Sequence, residues 1–420
     1  MFDGLFSDPG AKRIAVFGLG YVGLPVASVL ASRGFQVIGV DVTPHIVDTI
    51  NSGKIHIVEP DLGMVVHAAV AAGKLRATLK PEPADAFIIA VPTPFTEGKQ
   101  PDVSYIHAAT KALVPHLKKG DLVVLESTSP VGATEQIRDW IAELRPDLHM
   151  PEAEQEETDI YLAHCPERVL PGSVLRELVD NDRIIGGISQ HCAEMAAELY
   201  RSFVRGEMHL TNARTAELAK LVENSYRDVN IAFANELSVI CDKLDINVWD
   251  LISLANKHPR VNILSPGPGV GGHCIAVDPW FIVAADPERS RLIRTAREVN
   301  NDKPCFVVNK VKTHAAQLKQ PVIACLGLSY KADVDDLRES PAVEIVAQLA
   351  RERVGELLVV EPHVNALPDR LARLGLALWD FDQATERANI LLLLVDHASF
   401  LTVDHDVVKD KIVVDTRGAW

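Results

Sequence analysis

The stretch from Arg13 to Asp41 leaves few choices of fold. Residues 13–17 are a short run of apolar and β-branched side chains, the pattern of a buried strand. Gly18-Leu19-Gly20-Tyr21-Val22-Gly23 follows at once, and residues 24–32 read as an apolar helix that Gly34 ends. Residues 36–40 form a second strand, which Asp41 closes. This is a dinucleotide-binding βαβ unit with its glycines in the required context. Gly18, Gly20 and Gly23 allow a tight turn around Tyr21 and Val22 that brings a pyrophosphate to the helix N-terminus. Asp41 lies 18 residues after Gly23, where a carboxylate can accept from both ribose hydroxyls. It would repel a 2′-phosphate, so the cofactor read here is NAD rather than NADP.

The strand–helix alternation continues. Residues 86–91 read as a strand ending in Pro92-Thr93-Pro94, and residues 122–125 as one ending in Glu126-Ser127-Thr128. Ligands in open α/β sheets bind at the carboxyl ends of strands, which places Thr93 and Thr128 toward the cofactor; each could equally serve a turn or a helix cap. Residues 160–163 form another strand, ending in Cys165-Pro166-Glu167-Arg168-Val169. Glu167 is a candidate acid/base and Arg168 a candidate phosphate or sugar contact, against the plainer reading of a surface ion pair. Residues 183–186 and 208–210 complete this sheet.

Residues 212–242 contain no Gly or Pro and repeat apolar residues at helical spacing, a helix of about 45 Å at 1.5 Å per residue. Lys220 and Asn224 are i, i+4 on it and project together, with Arg227 one turn further. Residues 248–255 form a second helix, followed by His258-Pro259-Arg260. Residues 289–318 read as a third helix, broken near Pro304. Residues 266–273 hold four glycines and two prolines, which excludes helix and central strand. This loop delivers Cys274 and, four residues on, Asp278. If Ile275 starts a helix, Cys274 sits at its N-terminus, where the dipole favours a thiolate. The alternative is a structural thiol beside a turn.

Residues 321–326 restart the βα pattern, and Ser340-Pro341 marks a helix start. Strands follow at 357–360, 390–395 and 412–415. Lys331, Arg338 and Arg417 fall at strand carboxyl ends, as a diphosphate site requires, unless Asp333, Asp335, Asp336 and Glu339 pair with them.

The expected fold class is α/β: two doubly wound Rossmann-like domains joined by a long central helix and a helical middle segment. The expected boundaries are 1–210 for the NAD-binding Rossmann domain, 211–318 for the central helical part and 319–420 for the second Rossmann-like domain. A net charge of −15 disfavours nucleic acid or an anionic membrane as partner. No apolar run approaches the ~18 residues of a membrane span. Residues 1–10 lack the basic start and apolar core of a signal peptide, and the six cysteines contain no CxxC pair. A cytoplasmic protein with neither disulfide framework nor metal site is therefore expected.

GLGYVGLP, VPTP, ESTSPVG, the Lys220–Asn224 helix, GVGGHCIAVDP and GLSYKADVDDLRESP occur in one order. Together they resemble the UDP-glucose/GDP-mannose dehydrogenase family over essentially the whole chain. HIVEPDL, CPERVLPG, RTAELAKLVENSYRDVNIAFANEL and HPRVNILSPGPGVGGHCIAVDPWF carry a narrower match to its UDP-N-acetyl-D-mannosamine branch. The resemblance implies a four-electron oxidation of a sugar CH2OH to a carboxylate by two NAD, in bacterial surface-polysaccharide synthesis. It implies that Cys274 forms a thiohemiacetal and then a thioester. Lys220 would assist proton transfer and stabilise the oxyanion. Asn224 and Asp278 would order the water and the reacting oxygen, and Glu167 would serve as acid/base. Arg168, Val169, Lys220, Asn224, Arg227, His258, Arg260, Gly271, Tyr330, Lys331 and Arg417 match substrate-binding positions, and Arg338 a cofactor-binding one. A homodimer is implied, with Arg260 reaching the site of the neighbouring subunit. Two departures from the UDP-glucose branch, Pro171 and His273, suit an N-acetylated sugar, with UDP-N-acetylglucosamine and UDP-N-acetylgalactosamine as alternatives. A two-electron hydroxy-acid dehydrogenase would leave Cys274 and the last domain without a purpose. A non-catalytic NAD-binding regulator would not need Lys220, Asn224, Cys274 and Asp278 together.

Overall fold

The computed structural model describes residues 5–96, 98–154, 157–169, 172–272, 274–402 and 408–420; Pro171 and His273 lie outside them. The chain divides into two compact units, one running to Val222 and including Trp280–Ala285, the other Glu223–Pro279 with Asp286–Trp420.

The first unit is built on eight strands: β1 (Arg13–Phe17), β2 (Gln36–Val40), β3 (Leu75–Thr78), β4 (Ala86–Ile89), β5 (Asp121–Leu125), β6 (Ile160–His164), β7 (Arg183–Gly187) and β8 (Met208–Asn212). Their order is β3-β2-β1-β4-β5-β6-β7-β8. Successive side chains of β1 enter opposite cores: Ile14 and Val16 pack on one face, Ala15 and Phe17 on the other. Both faces being covered explains why β1, β4 and β5 are near-continuous apolar runs. The chain reverses direction across the sheet between β1 and β4, the switch point at which such sheets bind ligands. β7 runs antiparallel to β6 and parallel to β8. An apolar run does not encode strand direction, so the sequence pattern could not show this reversal.

The second unit carries a four-stranded parallel sheet of β9 (Val322–Leu326), β10 (Glu356–Val360), β11 (Ile390–Leu393) and β12 (Ile412–Asp415), in the order β10-β9-β11-β12. Both sheets are doubly wound α/β, the class the strand pattern implies.

Helices occupy Ala213–Lys243, Val248–Ala255, Asp278–Ala285 and Arg291–Ala315. The last corrects the expected break: Pro304 lies inside one continuous helix. Burial of Pro304, Val307, Val308 and Val311 keeps the helix continuous past the missing hydrogen bond, tertiary packing overriding a local cost of about 3 kcal/mol. Along the 31-residue helix, Leu218, Val222, Tyr226, Phe233 and Ile240 remain 40–71% exposed. At about 100° per residue they fall within one stripe roughly 80° wide. Among the described residues no helix is long and apolar enough to cross a membrane.

Candidate active site

The loop after β1 is shaped by steric necessity. Gly18 has φ +85°, and a Cβ there would stand 2.6 Å from the Ala90 carbonyl oxygen. A Cβ on Gly23 would stand 1.8 Å from the Gly18 carbonyl oxygen, so strand, turn and helix can meet only with glycine at both positions. Gly20 is different: nothing lies within 4 Å of its ideal Cβ, leaving room for a ligand to approach the backbone. The Gly23–Ser32 helix has no side-chain cap on its N-terminus. Asp41 is half-buried; its Oδ2 accepts the Leu19 N–H (3.0 Å) and its Oδ1 the Thr43 N–H (2.9 Å). The buried Thr93 hydroxyl, just beyond β4, has no protein partner. An open glycine, an uncapped helix, a strand-end acid and an orphaned hydroxyl fit a dinucleotide. Thr128 stands half-buried beyond β5.

Beyond β5 and β6 lies a buried polar cluster that residue spacing does not reveal. Glu167 Oε2 pairs with Arg183 at 2.9 Å and its Oε1 accepts the Arg168 N–H at 2.5 Å. The Tyr200 hydroxyl donates to Glu126 Oε1 at 2.7 Å. Burial, then the charge of Glu167, pushes Glu126 up to about 8, and burial drives His164 down to about 3. Glu126 ends a strand inside a quoted motif, which is the only sequence signal that could have singled it out. Arg168 donates to the Asp182 carbonyl at 3.4 Å, and Val169 packs on the core.

In the second unit the cysteine loop lies against residues 330–341. A Cβ on Gly271 would stand 2.5 Å from the Glu339 carbonyl oxygen and 3.1 Å from Tyr330 Cβ. The Gly272 N–H donates to the Arg338 carbonyl at 3.2 Å. Arg417 covers the start of the loop, its guanidinium 2.8 Å from where a Gly267 Cβ would stand, while its Nε pairs with Asp396. These contacts explain the glycines: the loop is pressed between backbone and guanidinium with no space for side chains.

Cys274 is half-buried and does not begin a helix at Ile275. Its carbonyl accepts the Val277 and Asp278 N–H groups, both at 2.9 Å, and the regular helix starts only at Asp278. Pro279, which suits a first turn but not the turn before it, sets that start. The thiol therefore precedes the helix by one turn rather than capping it. Asp278 is buried and its Oδ2 accepts from Asn224 Nδ2 at 2.5 Å. Lys220 is half-buried on the same helix as Asn224, and Arg227 is exposed. His258 and Arg260 are exposed on the segment after Val248–Ala255, where the Arg260 N–H meets His258 Nδ1 at 3.3 Å. Lys331 and Arg338 are exposed, Arg338 pairing with Asp336 at 2.6 Å.

A dinucleotide loop on one sheet and a second, cation-bearing βα unit are the parts that an NAD-dependent dehydrogenase of a phosphorylated or nucleotide-linked substrate uses. Three models of the UDP-glucose/GDP-mannose dehydrogenase family match: the NAD-binding domain at residues 12–204, the central domain at 214–302 and the UDP-binding domain at 324–420. An NDP-N-acetyl-D-galactosaminuronic acid dehydrogenase of Ralstonia nicotianae is 64% identical over 98% of this chain and 97% of its own. A UDP-N-acetyl-D-mannosamine dehydrogenase of Campylobacter jejuni is 59% identical, covering 94% and 98%. The solved UDP-D-ManNAc dehydrogenase of Pyrococcus horikoshii superposes with a TM-score of 0.86 at 40% identity, covering 97% and 96%. The chain belongs to the UDP-glucose/GDP-mannose dehydrogenase family and is an NAD-using nucleotide-sugar dehydrogenase.

Proposed function

We propose that the protein oxidises C6 of UDP-N-acetyl-D-mannosamine to the carboxylate, giving UDP-N-acetyl-D-mannosaminuronate for bacterial surface-polysaccharide synthesis. Gly18, Gly20, Tyr21, Val22, Gly23, Asp41, Thr93, Thr128 and Arg338 would hold NAD, which would supply the hydride acceptor for each of two oxidations. Lys220 takes the C6 hydroxyl proton as the aldehyde forms. The Cys274 sulfur then adds to the aldehyde carbon, and the resulting thiohemiacetal loses a second hydride to become a thioester. Water, ordered by Asn224 and Asp278, cleaves the C–S bond, releasing the acid and the thiol, with Glu167 as acid/base. Lys220 stabilises the oxyanion at each tetrahedral stage. In sum, one alcohol, two NAD and one water give one carboxylate, two NADH and three protons.

The observation that carries this reading is the Asn224–Asp278 hydrogen bond one turn from Cys274. It preorganises two polar groups four residues along from a cysteine that a close-packed glycine loop delivers. Substrate contacts are assigned to Arg168, Val169, Lys220, Asn224, Arg227, His258, Arg260, Gly271, Tyr330, Lys331 and Arg417. The exposed apolar stripe of the long helix supports a homodimer, and exposed Arg260 supports its assignment to a neighbour's site. We retain residues 1–210, 211–318 and 319–420 as the NAD-binding, dimerising and UDP-sugar-binding parts.

The test is NADH release across a panel of UDP-sugars, with product analysis. UDP-N-acetyl-D-mannosamine should give two NADH per sugar, and Cys274→Ser should abolish acid formation. Normal stoichiometry in that variant would refute the covalent step. The relative from Ralstonia nicotianae supports a second reading, UDP-N-acetyl-D-galactosamine, and preferential turnover of that sugar would select it. No turnover of any UDP-sugar would point to a non-catalytic NAD-binding regulator.

A further inference from the structure

Both ends of the cysteine loop are tied to one buried polar relay. Asp228, Asn235, Arg297 and Asn300 are each no more than 1% exposed. Arg297 donates to Asp228 Oδ1 at 2.7 Å, and Asn300 Nδ2 to the same oxygen at 2.8 Å. Asn235 Nδ2 donates to Asn300 Oδ1 at 2.9 Å. The relay then leaves side-chain chemistry and reaches backbone. Asn235 Oδ1 accepts the Gly267 N–H at 2.9 Å, seven residues before Cys274. Arg297 also donates to the Ile275 carbonyl at 3.4 Å, one residue after it.

A buried ion pair is a poor way to stabilise a fold, since apolar residues of equal volume often do as well. Such residues could not bind the two backbone groups. The loop needs the help: its glycines lose more backbone freedom on ordering than other residues. We infer that Asp228, Arg297, Asn300 and Asn235 are positioning residues that set the Cys274 thiol through the Gly267 N–H and the Ile275 carbonyl. The inference rests on the reading of Cys274 as nucleophile.

The experiment uses the full chain and two variants, Asn235→Ala, which drops Gly267, and Arg297→Lys, which keeps the buried charge but loses the reach to Ile275. Iodoacetamide labelling is followed by mass spectrometry at each cysteine, with exposed Cys305 as internal rate standard and buried Cys241 and Cys325 reporting opening of the second unit. A slackened loop should expose the thiol, so Cys274 labelling should rise at least threefold while Cys241 and Cys325 stay protected. In the same samples kcat should fall about tenfold, with KM for the UDP-sugar within twofold. A more accessible Cys274 in a slower enzyme whose Cys241 and Cys325 stay protected is a signature that loss of fold alone does not produce. The inference is overturned if both rates are unchanged in either folded variant. It is equally overturned if Cys241 and Cys325 label in step with Cys274. Should Asn235→Ala fail to fold, Arg297→Lys decides alone. Wild-type protein alkylated at Cys274 yet still active would sink the nucleophile reading but not the labelling result.

Discussion

The two sheets begin alike and then part. In the first unit β1 leads into Gly18, with φ +85°, whose N–H donates to the Val40 carbonyl at 2.8 Å. In the second, β9 leads into Gly327, with φ +90°, whose N–H donates to the Val360 carbonyl at 2.8 Å. Each next residue then donates its N–H to an acid ending the neighbouring strand: Leu19 to Asp41 at 3.0 Å, Leu328 to Glu361 at 2.7 Å. From there the units diverge. The first starts its helix at Gly23, uncapped, with Asp41 partly open to solvent. The second inserts a loop bearing Lys331 and Arg338, starts its helix at Pro341, and caps it with Ser340. Glu361 is buried there, its Oε2 also bound by Ser329 N–H and by His397. On the proposed function, one opening motif therefore serves two ways of meeting phosphate. On that reading the first leaves helix N–H groups for the ligand, while the second caps the Ala342 N–H with Ser340 and offers the Lys331 ammonium instead.

The largest effect should come from the glycines that distinguish the first unit. Gly23→Ala forces a Cβ onto the Gly18 carbonyl, and should cost about 3 kcal/mol of stability with loss of NAD binding. Gly20→Ala meets only open space, so thermal melting should be unchanged while NAD affinity drops at least about tenfold. Calorimetry and NAD titration separate the two. If both variants melt like wild type and bind NAD equally, the loop is not the pyrophosphate cradle.

The two strand-end acids should differ in kind. Glu361→Ala leaves three buried N–H groups without their acceptor and should cost about 3 kcal/mol in denaturant melts. Asp41→Asn should cost under about 1 kcal/mol. It should instead let NADP compete, because the charge that repels a 2′-phosphate is gone; the ratio of NAD to NADP turnover measures it.

Buried glutamates also give the units opposite responses to pH. Glu126 is pushed up from 4.5 to about 8, chiefly by burial. The folded state then holds a proton that the unfolded state releases. Stability should fall as pH rises from 4.5 to about 8, by up to about 1.4 kcal/mol per unit. For Glu361 burial acts in the raising direction, but hydrogen bonds from His397 and from the Leu328 and His363 N–H groups outweigh it, and the pKa is lowered. Its contribution is present above 4.5 and lost as pH falls below. Melts across pH 4 to 9 should lose the alkaline decline in Glu126→Gln and the acid one in Glu361→Gln. An unchanged profile in either variant would show that the named carboxyl does not set that limb.

What could be read from the sequence follows the range of the interactions. The strand–glycine–helix–acid unit is local, so periodicity and spacing located it, as they did the 31-residue helix and the Ser340-Pro341 start. Cys274 stood out because glycines and prolines surround it. The break expected at Pro304 failed because burial of Pro304, Val307 and Val308 outweighs a local rule. The helix expected at Ile275 failed because Pro279 has no N–H to donate to the Ile275 carbonyl, so the bond from the Asp278 N–H to the Cys274 carbonyl is not continued. Glu126–Tyr200 and Asn235–Gly267 join residues 74 and 32 positions apart, and no spacing rule reports such pairs. The helix cap, by contrast, was legible because serine and proline act within two residues of each other.

That cap yields the smallest effect and sharpens the contrast between the units. Ser340 Oγ accepts the Ala342 N–H at 3.2 Å, and Pro341 occupies the first helical position, where its missing N–H costs nothing. Ser340→Ala should lower stability by about 1 kcal/mol. An N–H freed in this way is a potential anion donor, so the variant also asks whether a cap alone separates the two phosphate modes. Lys331, assigned above to the substrate, remains, and the loop that carries it is unchanged in length. Affinity for UDP should therefore stay within twofold, and no NAD binding should appear at this sheet. Calorimetry with UDP and with NAD on the variant reads both. A gain in UDP affinity of tenfold would mean that the capped helix, not the inserted cations, keeps the second unit from holding phosphate as the first one does.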